Sequence, residues 1–283
     1  MDHSSGAAQP DPRRYEKIEK EEKELYLDKY LNVAFGLDQI SGAFQEEVPS
    51  YAMSPAIGPI GGYATGRLNA LESEFHDGKY VAPVEEAVRH RELHPDTVDK
   101  QLGFLSVDIC GATALRKADN DQFDRAYDIL LRELGTLVGL FNGAILKTTG
   151  DGYIAYIDHP SFTNLCDGII DLGLCTLKLL HESVNPALLK HNLPEIDIRI
   201  GADYGEARVK KYYIAATGFS STEIASDALN RAVKIETACE RNEFRIGRCL
   251  YELIHVGWLE RAEEVGFDGH SVGLEGYQTY KMR

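Results

Sequence analysis

From about residue 100 onward the chain switches between two hydrophobic periods in an order that few folds accept. FLSVDI, Phe104 to Ile109, reads as a strand. A stripe at Phe123, Tyr127, Leu130, Leu134, Leu137 and Phe141 follows, and its alternating steps of four and three predict one amphipathic helix ended by Asn142-Gly143. AILKTTGDGYIAYI then sets two apolar arms around a Thr-Thr-Gly-Asp-Gly turn, a hairpin pattern. A second helix is expected over Phe162 to His181. EIDIRIGADYGEARV alternates Ile196, Ile198 and Ile200 as a strand that turns at Gly205. A third helix is expected from about Ala225 to Glu240, and EGYQTYKM closes the chain as a strand. This is the ferredoxin-like βαββαβ order of an α+β fold, with additions.

That order gives meaning to an aspartate in an awkward place. In FLSVDICGATAL, Asp108 stands near the end of a strand otherwise built for burial, where a lone carboxylate is costly unless a cation compensates it. In a βαββαβ sheet the first strand lies beside the hairpin, so Asp108 and the turn residue Asp151 can meet at one sheet end. Two carboxylates meeting there repel, and divalent cations would resolve the repulsion.

The first 100 residues obey different rules. Residues 1–14 are small, polar and proline-bearing, and are expected to be a disordered tail. Residues 15–100 read as a helical and Pro/Gly-rich extension. RRYEKIEKEEKELYLDKYLNVAFGL carries loosely helical apolar positions among alternating Glu and Lys. VPSYAMSPAIGPIGGYATGRLNA reads as an irregular linker, and Val84 to His94 as a short polar helix. Within the linker, Gly61 to Leu68 has the glycine spacing of a phosphate loop. Arg67 stands in place of its lysine, Leu68 in place of its hydroxyl residue, and no strand precedes it, so a phosphate-loop role is set aside. His90 and His94 are four residues apart, but no third metal ligand accompanies them.

Composition narrows the function classes. The formal net charge of −15 disfavours a nucleic-acid partner, because such a surface repels a phosphate backbone. No apolar run reaches the ~18–20 residues that a membrane helix needs, and no signal core is evident, so a cytoplasmic location without membrane contact is expected. The five cysteines lack CxxC spacing and read as reduced core thiols.

VDICGATAL, LKTTGDGYIAY, IRIGADYGEA and ALNRAVKIETA together resemble the class III nucleotidyl cyclase catalytic domain over about residues 101–283. The combination of DI-x-G, KTTGDG and N-x-A-x-K-I is similar to the bacterial antiphage pyrimidine cyclases of the Pycsar system. The resemblance implies metal binding by Asp108 and Asp151, helped by the backbone carbonyl of Ile109, with two Mn²⁺ or Mg²⁺ ions per active site. It implies base reading by Lys147 and Glu223, ribose orientation by Asn230, and phosphate contact by Lys234, where the family usually has arginine. Lysine keeps the cation and loses the bidentate fork. The family's carboxy-terminal phosphate lysine has no counterpart: Leu274 stands about there. Arg199, Lys210, Lys211 and the amino-terminal region are the alternative candidates for gripping the triphosphate. Family members work as dimers with sites shared across the interface, so a homodimer is implied.

Function follows as an expectation. The chain is expected to convert a nucleoside triphosphate, UTP first and CTP second, to a cyclic monophosphate sensed by a separate antiviral effector. Lys147 donates hydrogen bonds and Glu223 accepts them, which suits adenine, cytosine or uracil, so an adenylate cyclase stays open. A degenerate nucleotide-binding module stays open too, and Glu223 could instead cap the following helix. A diguanylate cyclase would need a Gly-Gly-(Asp/Glu)-Glu-Phe turn where this chain has Thr149 to Tyr153. An RNA-recognition module would need a basic face.

Overall fold

The computed structural model describes residues 10–20, 23–36, 59–85, 99–159 and 161–283. The chain divides into two compact units, residues 1–52 and 53–283. Residues 1–9 of the expected tail lie outside the described residues, as do His90, His94 and nearly all of the helix expected over Val84 to His94.

The first unit corrects the sequence reading. Its charged segment is not helical but forms an antiparallel ribbon of β1 (Tyr15–Lys20), β2 (Lys23–Asp28) and β3 (Val33–Phe35). The opposite charges that suggested helical i,i+4 pairs meet across strands instead: Lys17 Nζ lies 2.6 Å from Glu24. Aromatic residues favour the pleated form, and Phe35 packs against Tyr15 and Tyr26 with ring centroids 5.4 and 6.5 Å away. The buried Asp28 carboxylate accepts from the backbone N–H groups of Tyr30 and Leu31 and from Arg14 Nε, which fixes the turn into β3.

The second unit opens with α1 (Ile60–Asp77), a helix where an irregular linker was expected. The glycines in its first turns do not break it, because its inner face has strong partners. Arg67, the false phosphate-loop residue, is buried and forks onto Glu133 at 2.6 and 2.8 Å while donating to the Val81 carbonyl at 2.7 Å. Arg132 forks onto Glu74 beside it. An Arg67→Lys change keeps the charge but loses the fork, and should lower unfolding free energy by about 1–3 kcal/mol in chemical denaturation.

The central sheet of this unit consists of β4 (Lys100–Ile109), β5 (Gly143–Thr148), β6 (Gly152–Ile157), β7 (Ile198–Ile214), β8 (Phe219–Ala225), β9 (Glu243–Gly247), β10 (Ala262–Val265) and β11 (Thr279–Met282). Their order is β10-β11-β9-β7-β4-β6-β5, with β8 paired to the far half of β7. Only the β7–β9 pair is parallel among the described strands. The strand expected to turn at Gly205 continues to Ile214, because Gly205 stays in the ladder opposite Leu102 and the following residues pair with β8. The expected strand-helix-hairpin-helix-strand order holds, with α2 (Ala112–Ala118), α3 (Asn120–Leu140), α4 (Phe162–Leu179) and α5 (Asp227–Thr237) as its principal helices.

Side-chain alternation on β4 separates the two layers. Leu102 and Phe104 pack with Ala144, Tyr156 and Ala207 under Ala228 and Ala232 of α5. On the other face Gly103 leaves room for Leu165 and Ile169 of α4. On α3, Asp119 caps the first turn by accepting from the Gln122 N–H at 3.0 Å, and Phe123, Leu130, Leu134 and Leu137 form the expected buried stripe.

Candidate active site

Strand register places Asp108. It pairs with Gly152 on one side and Arg199 on the other, so the β5–β6 turn and β7 both deliver side chains to it. Gly152 is what lets the turn approach: a Cβ there would lie 2.0 Å from the Val107 carbonyl oxygen. Asp151 is then held by its own backbone, since its carbonyl accepts from the Ile109 N–H at 3.0 Å. The two carboxyl groups lie close enough for their charges to act on each other. Burial raises the Asp108 pKa, the nearby Asp151 charge raises it further, and Arg199 pulls the other way.

Arg199 Nη2 donates to Asp108 Oδ2 at 2.5 Å and Nη1 to the Thr237 carbonyl at 3.3 Å. Its Nε lies 3.2 Å from Oε1 of the buried Glu236. Glu236 reaches this place because β7 has glycine two residues beyond Arg199. A Cβ at Gly201 would lie 2.3 Å from the Ala232 carbonyl oxygen and the Glu236 nitrogen, so α5 sits directly on the strand. Burial, with the charges of Asp108 and Asp151, pushes the Glu236 carboxyl up to about 7.

The other nominated residues are distributed over α5, β5 and β8. Asn230 lies on the exposed side of α5, lining a cleft of about 590 Å³ with Asp99, Arg208, Lys210 and Asp227. Lys234 Nζ, one turn on, donates to the Val272 carbonyl at 2.5 Å. A register shift between Ile145 and Lys147 bulges β5 and leaves Lys147 exposed. Glu223 is exposed on β8, opposite Lys210 in register, where it accepts from the Ser221 hydroxyl at 2.7 Å. It is no helix cap: Ser226 fills that role, accepting from the Leu229 N–H. Within one chain, neither Lys147 nor Glu223 bonds to the aspartate pair. Arg199, nominated for the triphosphate, is engaged by Asp108, whereas Lys210 and Lys211 are exposed.

Glu236 and Asp203 escaped the sequence reading. Glu236 falls on the buried stripe of α5 with Ala228, Ala232 and Ile235, and a carboxylate in an apolar stripe calls for a partner. Asp203 carries the same signal between Ala202 and Tyr204 of β7. It is fully buried, bonded to Arg231 and to the Tyr277 hydroxyl.

Two neighbouring carboxylates make an oxygen donor set, which suits a hard divalent cation such as Mg²⁺ or Mn²⁺. Among the described residues no three His, Cys, Asp or Glu side chains converge as a metal cluster. Donors beyond this set would be water and substrate phosphate oxygens.

Over about two thirds of its length the chain has a class III cyclase-like fold. Solved structures similar to it include the adenylyl cyclase CyaB from P. aeruginosa, at 20% identity and a TM-score of 0.57, with 66% of this chain and 96% of that one covered. The guanylate cyclase domain of RhGC from Catenaria anguillulae, in complex with GTP, aligns at 15% identity and a TM-score of 0.55, covering 66% and 98%. A class III adenylyl cyclase-like ATP-binding protein from Pseudomonas aeruginosa aligns at 15% identity and 0.54, covering 67% of this chain and 44% of that one. No family model and no curated protein matches the amino-acid sequence.

Proposed function

We propose that this chain is a nucleotidyl cyclase converting a pyrimidine nucleoside triphosphate, UTP first and CTP second, to its 3′,5′-cyclic monophosphate and diphosphate. The observation that carries this reading is the meeting of Asp108 and Asp151 at the sheet end, in a fold shared with adenylyl and guanylyl cyclases. The pyrimidine preference, a second-messenger role in antiphage defence and a separate cyclic-nucleotide effector rest on the motif resemblance. A cytoplasmic location belongs to the same proposal; no helix among the described residues is long and apolar enough to cross a membrane.

In the reaction the ribose 3′-oxygen forms a bond to the α-phosphorus while the bond to the departing diphosphate breaks. Positioning and charge stabilisation account for most of the barrier reduction in such a step. Asp108, Asp151 and the Ile109 carbonyl would hold two divalent ions, which supply activation of the 3′-hydroxyl and neutralisation of triphosphate charge. Lys147 and Glu223 read the base edge, Asn230 orients the ribose, and Lys234 faces charge on the reacting phosphate. Lys210 and Lys211 are the exposed cations left to draw in the triphosphate tail.

The active form in this proposal is a homodimer. Tyr212, Tyr213, Ile214 and Phe219 expose a large apolar surface at the tip of the β7–β8 arm, the arm that also carries Glu223. Such a patch favours a protein partner, and the separation of Lys147 and Glu223 from the aspartate pair within one chain favours a second copy. Incubation of the purified protein with each of the four nucleoside triphosphates and Mn²⁺ tests the chemistry by mass spectrometry. Cyclic UMP as main product is expected, with cyclic CMP second. Cyclic AMP alone would remove the pyrimidine assignment, and no cyclic product from any substrate would remove the cyclase.

A further inference from the structure

Arg199 has two acidic partners and satisfies one. Its Nη2 is bonded to Asp108, while its Nε and Glu236 Oε1, 3.2 Å apart, are both buried and both without a hydrogen-bond partner. Buried charged atoms left in that state are costly, so the arrangement holds a bond that is nearly made. The guanidinium also reaches the end of α5 through the Thr237 carbonyl. It can therefore turn from the strand toward the helix about its own side-chain bonds, keeping one contact and completing another. The backbone need not move: Gly201 already sets α5 at touching distance, and register already sets Arg199 opposite Asp108.

We propose that Arg199 is a two-position counter-cation, neutralising Asp108 while no divalent cation is bound and passing to Glu236 when one arrives. Glu236 is then a positioning residue: it acts on the acidic pair through Arg199. This rests on the metal reading of Asp108 and Asp151. The physical basis is competition: a guanidinium and a divalent ion held by the one Asp108 carboxylate repel each other, so each weakens the other's hold on it. Without Glu236 the displaced guanidinium would lose its buried anionic acceptor, and the ion would have to compete against it.

The test is Mn²⁺ binding without nucleotide, followed by the electron paramagnetic resonance of free Mn²⁺ at mildly alkaline pH, in wild type, Arg199→Gln, Glu236→Gln and the double variant. Arg199→Gln should bind Mn²⁺ more tightly than wild type. Glu236→Gln should bind about tenfold more weakly, yet cost less than about twofold once Arg199 is also glutamine, a non-additivity that marks action through the arginine. Glu236→Asp, too short to reach the guanidinium, should repeat the pattern and serves if Glu236→Gln does not fold. Equal weakening in both arginine backgrounds would reduce Glu236 to a simple nearby charge and overturn the proposal, as would weaker binding in Arg199→Gln. Asp151→Asn separates the two layers of argument. It should weaken Mn²⁺ binding in either background, and unchanged affinity there would overturn the metal reading together with the proposal.

Discussion

Asp151→Asn should lower turnover at least about a thousandfold, measured as diphosphate release, while leaving the circular dichroism spectrum and melting temperature close to wild type. The carboxamide keeps the shape of the side chain but removes the negative oxygen that a divalent ion requires. Nothing that holds the turn depends on that charge. The Ile109 N–H bonds to the Asp151 backbone carbonyl, and Gly152 still gives the close approach to β4. Loss of the charge also relieves repulsion with Asp108, so the fold has no reason to weaken. Turnover within threefold of wild type would refute the metal assignment, whatever its effect on stability.

The largest effect on stability is expected at Asp203. Its carboxylate is fully buried and accepts from Arg231, from the Tyr277 hydroxyl at 2.7 Å, and from the Tyr204 and Leu250 N–H groups at 2.9 and 3.3 Å. Burial raises its pKa even with Arg231 beside it. Asp203→Ala takes the buried acceptor from the half-buried Arg231 guanidinium and Tyr277 phenol together, and should cost about 3–5 kcal/mol of unfolding free energy in chemical denaturation. Tyr277→Phe removes two hydrogen bonds, the one donated to Asp203 and the one accepted from the Cys249 N–H, and should cost about 1–3 kcal/mol. A loss below about 1 kcal/mol in Asp203→Ala would mean that water or a shifted side chain replaces the network.

What the amino-acid sequence disclosed follows from how local its signals were. The stripe from Phe123 to Leu137 and the arms around Thr149 to Gly152 are periodic over many residues, and both appear as expected. The approach of Asp108 to Asp151 was legible because the βαββαβ order sets the first strand beside the hairpin. The amino-terminal ribbon was not. Dense Glu and Lys support either helical or cross-strand pairs, and the deciding contact, Phe35 against Tyr15 and Tyr26, is long in sequence. Likewise α1 hid behind its glycines, because its stability comes from Glu133, sixty-six residues from Arg67. Glu236 was hidden for a similar reason: its partner Arg199 is on another element, brought near by a glycine whose purpose only the packed structure displays.

In the proposed dimer each catalytic unit is assembled from two chains, the aspartate pair from one and the base-reading pair from the other. Mixing two inactive variants, Asp151→Asn and Lys147→Ala, tests this most directly. After subunit exchange, heterodimers carry one intact site, and a one-to-one mixture should recover up to about a quarter of wild-type cyclic nucleotide production. Mixed dimers that form, as shown by differently tagged chains co-purifying, yet make no product would contradict it.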